Sequence, residues 1–127
     1  MPGNGNGTVV VPWYATGFRA DAFALALDEI AQVTLRYGAS DYAVYRARDD
    51  LYKFQQLATF ARYSDWERYW EGPEMVYFRA AHSGWYQVPV LYGWWDRTAC
   101  GEVGAEPEAV PEGTGNGSLT PVGDSAA

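Results

Sequence analysis

The sequence predicts one α+β domain of βαββαβ order that works as a homodimer, and three observations carry that prediction. The chain has 127 residues, enough for one domain and too few for two. Its apolar residues alternate with polar ones in some stretches and recur at helical spacing in others, in the order strand, helix, strand, strand, helix, strand. It also holds 6 Trp, 10 Tyr and 5 Phe, more aromatic surface than a domain this size normally buries in one core.

Met1 to Gly7 (MPGNGNG) is rich in Gly and Asn and reads as a flexible leader, lacking the charged and apolar regions of a signal peptide. Thr8 to Thr16 opens with Val9, Val10 and Val11 and continues with Trp13 and Tyr14, which is strand composition. Pro12 removes a ladder donor and predicts an edge or bulge there. Arg19 to Arg36 reads as a helix, with Phe23, Leu27, Ile30, Ala31 and Thr34 on one stripe and Gly38 beyond its end. Asp41 to Arg48 alternates as a strand, and Asp49-Asp50 makes a turn. Leu51 to Ala61 follows as a strand with Tyr52, Phe54, Ala58 and Phe60 on one face.

Ser64-Asp65-Trp66-Glu67 fits a capping box and predicts a helix beginning at Trp66. Gly72-Pro73 interrupts this helix, and Pro73 restarts it toward His82. Tyr86 to Asp96 reads as the last strand, with Pro89 and Gly93 marking an edge or a bulge. This is the split-βαβ, ferredoxin-like order. Helices on one sheet face leave the other bare, and a second copy is the expected cover.

From Gly101 the composition shifts to Gly, Glu, Pro, Ser and Ala with no aromatic residue, so 101–127 is expected to be an acidic disordered tail behind a domain at 8–100. The formal charge is −7, yet the first hundred residues carry 9 basic and 11 acidic groups, with no basic stripe. That excludes nucleic acid and an anionic membrane as expected partners. No apolar run reaches bilayer-spanning length, and the single Cys100 fits a reducing compartment, so a cytoplasmic protein is expected.

The strand-to-helix transition Phe60-Ala61-Arg62-Tyr63-Ser64-Asp65-Trp66-Glu67 resembles that of the antibiotic-biosynthesis-monooxygenase family. In that family a strand ends in an aromatic residue and a capped, Trp-bearing helix follows. The resemblance covers roughly residues 8–97 and implies a dimeric α+β barrel. It further implies a small oxygenase, acting without a dedicated cofactor on an aromatic or hydrophobic small molecule in an aromatic cavity. Cofactor-independent oxygenases, haem-degrading enzymes and isomerases share this fold.

Two constellations could carry chemistry. Trp13, Trp66, Trp70, Tyr92, Trp94 and Trp95 could line a dry cavity, with Trp66 and Arg79 or Arg62 stabilising a phenolate anion. The plain alternative is that these rings fill the core and a subunit interface, and Trp94 and Trp95 must point to opposite faces of a strand. Phe78-Arg79-Ala80-Ala81-His82 resembles the Phe-x-x-Ala-His helix end of bacterial haem-degrading monooxygenases, which implies His82 as an iron ligand if haem is bound. The plain alternative for His82, the one histidine, is a bond to a backbone carbonyl at a helix end. Residues 116–125 (NGSLTPVGDS) resemble the peptide by which cargo docks inside bacterial encapsulin shells, which implies such a shell as a partner; an ordinary tail is the alternative.

Overall fold

A computed structural model describes residues 6–104. The leader up to residue 5 and the expected docking segment 116–125 lie outside these residues. Of the described chain, the part up to Arg97 belongs to one compact unit. Residues 98–104 carry neither helix nor strand, and Cys100 is exposed. Among the described residues no helix is long and apolar enough to cross a membrane.

The elements follow the βαββαβ order. Strand β1 (Gly7–Tyr14) leads to helix α1 (Ala20–Gln32) and a 3-10 turn (Val33–Tyr37). The hairpin β2 (Ala39–Arg46) and β3 (Lys53–Phe60) follows, then helices α2 (Tyr63–Trp70) and α3 (Pro73–Ala81), and a short β4 (Gly93–Trp95). The sheet is antiparallel in the order β2-β3-β1-β4. On β1 and β3 one face is buried throughout: Val9, Val11 and Trp13 on β1, and Phe54, Gln56, Ala58 and Phe60 on β3. The α1 stripe of Phe23, Leu27 and Ile30 is buried as its spacing requires and joins those residues in one core.

Several boundaries differ from expectation, each for a physical reason. The first helix yields to the 3-10 turn at Val33, and Gly38, at φ 103°, ends the turn in the left-handed region where a Cβ is penalised. The expected capping box at Ser64 does not form. Helix α2 starts at Tyr63 with an extended Arg62 as its cap, and the cap side chain makes no hydrogen bond to the backbone. Asp65, not Ser64, organises this turn: its buried carboxylate accepts from Arg68 at 2.8 Å and Arg62 at 3.3 Å. Those two cations hold its pKa below the ordinary carboxylate range, Arg68 foremost.

The expected last strand over 86–96 shrinks to three residues, Gly93–Trp95. Tyr86 makes only an isolated bridge to Ala15, and Pro89 cannot donate to a ladder between them. Pro12 is accommodated because β4 stops opposite Val10 and pairing on that side resumes only at Tyr14 and Ala15, leaving β1 an edge between them. Helices α2 and α3 meet at Gly72-Pro73, where a Cβ on residue 72 would lie 2.6 Å from the Tyr37 hydroxyl and 2.7 Å from the Arg68 carbonyl. That hydroxyl is anchored to Glu74 at 2.6 Å and cannot retreat freely. Gly72→Ala therefore costs about 1–3 kcal/mol through overpacking, measured as a lower midpoint in urea unfolding at unchanged slope.

Candidate functional site

The helix-facing side of the sheet gathers the aromatic residues. Trp13 stands on β1, Trp66, Tyr69 and Trp70 on α2, Phe78 on α3, and Tyr86 and Tyr92 on the segment leading to β4. Three helical positions of α2, Trp66, Tyr69 and Trp70, share the face turned to the sheet because they lie three and four apart. The Trp66 ring stacks on Trp70 at 5.2 Å and meets Tyr92 edge-on at 5.0 Å. Trp70 also touches Tyr92 at 5.1 Å and Trp13 at 6.0 Å. Trp66 and Trp13 are buried, while Trp70 and Tyr92 are half-buried and form the rim.

Two indole N–H groups in this cluster have opposite fates. Trp13 Nε1 donates to Gln56 Oε1 at 3.0 Å, Gln56 Nε2 donates to the Tyr69 hydroxyl at 3.1 Å, and Tyr69 donates to the Ile30 carbonyl at 2.9 Å. Desolvation drives the Tyr69 phenol far above its ordinary pKa, so it stays neutral and serves as a donor, never as a base near neutral pH. Trp66 Nε1 is equally buried and, among the described residues, has no partner. A buried donor left unpaired costs about 1–3 kcal/mol, and such groups call for an explanation.

Arg79 is the cation of this cluster. Its guanidinium lies 4.3 Å from the Trp70 ring centroid and donates to the Trp70 carbonyl at 2.9 Å. Arg62, the alternative cation, turns to Asp65 instead. Trp94 packs on Tyr63 at 5.2 Å, and its neighbour Trp95 is 60 % exposed on the other face, as the alternation requires. Of the residues expected to bind substrate, Trp13, Trp70 and Tyr92 thus belong to one ring cluster with Trp66. Phe78 reaches it through Trp13 at 5.9 Å, and Trp94 sits beside Tyr63, the first residue of α2.

His82 ends α3, where its Nδ1 is bonded to the Phe78 carbonyl at 2.8 Å, the plain helix-end placement. Its ring is in contact with Phe78 at 4.6 Å and Trp85 at 4.7 Å. Trp85 is itself held under the Arg19 guanidinium. With Nδ1 engaged at the helix end, Nε2 is the imidazole nitrogen left over. Among the described residues no cluster of three or more His, Cys, Asp or Glu could hold a metal ion.

Gln56 and Tyr69 were not singled out from the sequence. The signal was present: Gln56 occupies an inward position of the alternating strand between Phe54 and Ala58, where a polar residue needs a buried partner. On the opposite sheet face, β1 and β3 with residues Gln87, Pro89 and Leu91 line a hollow of about 230 Å³.

No family model matches the chain, and no curated protein does. Solved structures share its fold. A Nitrosomonas europaea protein assigned to the antibiotic biosynthesis monooxygenases superposes with a TM-score of 0.68 at 15% identity, covering 77% of this chain and 94% of its own. SnoaB, a cofactor-independent oxygenase from Streptomyces nogalater, gives 0.64 at 16% identity, covering 75% and 95%. PA3566 from Pseudomonas aeruginosa gives 0.67 at 18% identity, covering 75% and 96%. The chain therefore has the α+β fold of these proteins, the fold expected from its element order.

The Gln56 bridge gives a direct test of the site's framework. Gln56→Leu leaves the Trp13 indole N–H buried without an acceptor, costing about 1–3 kcal/mol of stability in urea denaturation. A cost below measurement error would mean that water replaces the lost amide.

Proposed function

We propose that this protein is a small oxygenase that binds an electron-rich phenol among Trp66, Trp70 and Tyr92 and lets the substrate itself reduce oxygen. The observation that carries this reading is the unpartnered, fully buried Nε1–H of Trp66. A donor fixed in a dry aromatic surround is what a phenolate oxygen needs, because the bond it makes there is not weakened by competing water. The Arg79 guanidinium at Trp70 adds a positive charge at the rim and favours an anionic guest. The phenolate supplies the electrons, one oxygen atom enters the ring and the other leaves as water, so a phenol plus oxygen gives a quinone plus water. No dedicated cofactor is required by this balance. SnoaB, which shares the fold, is itself described as a cofactor-independent oxygenase.

The same reading includes a homodimer. The sheet face turned away from the helices presents Val10, Ala43, Leu57, Tyr45 and Trp95, the last two 61 % and 60 % exposed. A second copy covering this face by a two-fold axis removes those side chains from water without closing the Trp66 side. Leu57→Glu places a charge in the middle of this face and is expected to convert a species of twice the chain mass into a monomer in analytical ultracentrifugation. A wild-type monomer at all concentrations overturns the dimer.

The oxygenase reading is tested with a naphthol as substrate, following oxygen uptake and Trp fluorescence. Trp66→Phe keeps a ring but removes the donor, and is expected to weaken naphthol binding by about ten- to a hundred-fold. The melting temperature should move little, since lost ring volume and relief of the unpaired donor offset one another. No binding and no oxygen uptake by the wild type sink the reading. A Soret band on hemin addition that His82→Ala abolishes would replace it with haem handling.

A further inference from the structure

We infer that residues 88–92 form a strap that gates the Trp66 site, with Tyr92 as its closing side chain. The observation behind this is the shortfall of the last strand. The chain is pinned at one end by the Tyr86–Ala15 bridge and the Gln87 N–H bond to the Tyr14 carbonyl at 2.8 Å. It is pinned again at the other end, where Gly93 pairs with Val10. Between these pins, among the described residues, no backbone hydrogen bond outside helices and strands reaches positions 88–92. Pro89 has no N–H to give. Segments held by side-chain contacts without backbone bonds open at lower free energy than the sheet beside them.

The side chains of the strap divide between two surfaces. Val88 and Leu91 are 75 % and 72 % exposed, whereas Val90 and Tyr92 turn to the core. Tyr92 packs against both Trp66, whose indole N–H is unpartnered among the described residues, and Trp70 at ring distances of 5.0 and 5.1 Å. Gln87, Pro89 and Leu91 border the hollow of about 230 Å³ on the other sheet face, which leaves open room beside the strap. Lifting 88–92 about its pinned ends withdraws Tyr92 and exposes Trp66 Nε1 while the strands and the Gln56 bridge stay in place. This gate supplies the entry route for the ligand proposed above. Its geometry does not depend on which ligand that is.

The test reads the gate without any ligand. In the full chain, isotope-labelled at Trp, solvent exchange of the two buried indole N–H groups is followed by NMR at several urea concentrations below unfolding. Trp66 Nε1–H is expected to exchange at least roughly tenfold faster than Trp13 Nε1–H, with little urea dependence, as local openings do. Tyr92→Ala should raise the Trp66 rate by a further factor of about ten and leave Trp13, bonded to Gln56, unchanged. Equal exchange of the two indoles, both accelerating with urea as global unfolding does, overturns the gate. So does a Trp66 rate that Tyr92→Ala does not alter. Adding the naphthol separates the two proposals: slowed Trp66 exchange supports both, while local exchange unaffected by the naphthol retains the gate and discards the phenol site.

Discussion

The side chain of Gln56 is the polar thread on which the interior is strung. It sits on β3, takes a hydrogen bond from Trp13 on β1, gives one to Tyr69 on α2, and through Tyr69 is joined to the Ile30 carbonyl of α1. Four elements are thereby registered by three bonds in a setting where each group would be costly if unpaired. Apolar packing would press α1 and α2 onto the sheet in any case. Directional bonds decide where along the sheet the rings settle. Trp13 and Tyr69, placed in this way, in turn set the positions of Trp70 and Trp66, which they touch.

Against that satisfied thread, the Trp66 indole N–H has no hydrogen-bond partner among the described residues, and neither has the buried Gln55 Oε1. Two buried indoles in one cluster, one bonded and one not, are hard to reconcile with filling of space as the sole purpose of these rings. A phenylalanine would fill much the same volume without the cost of an orphan donor. The surrounding chemistry agrees with an anionic aromatic guest: flat apolar walls, a cation on the rim, and a neutral Tyr69 that cannot take a proton. His82, by contrast, is occupied with its own helix end.

The break in the last strand has consequences on both sides of the sheet. Pro89 stops β-pairing where Tyr86 leaves β1, and pairing resumes only at Gly93. One result is an edge on β1 that tolerates Pro12 in the middle of a strand. The other is a stretch of chain held by Val90 and Tyr92 against the core rather than by a ladder. A full-length strand here would have sealed the aromatic cluster with backbone hydrogen bonds. The proline leaves side-chain contacts to do so, which are easier to break and remake.

Element order was legible from the sequence because periodicity is a local property: α1 shows its stripe, β1 and β3 their alternation, and Gly72-Pro73 its break. Part of the ring cluster was legible too: Trp13, Trp66, Trp70 and Tyr92 come together, whereas Trp95 is exposed on the other sheet face and Tyr69 gave no signal of its own. Tertiary structure alone decided the rest. Asp65 displaced Ser64 as organiser of the α2 start because two arginines converge on its carboxylate. Gln56 found its partners because β1, β3 and α2 meet at its position. A hydrogen bond between residues 43 positions apart leaves no mark on the local pattern of either, so satisfaction or its absence is written only when the chain has folded.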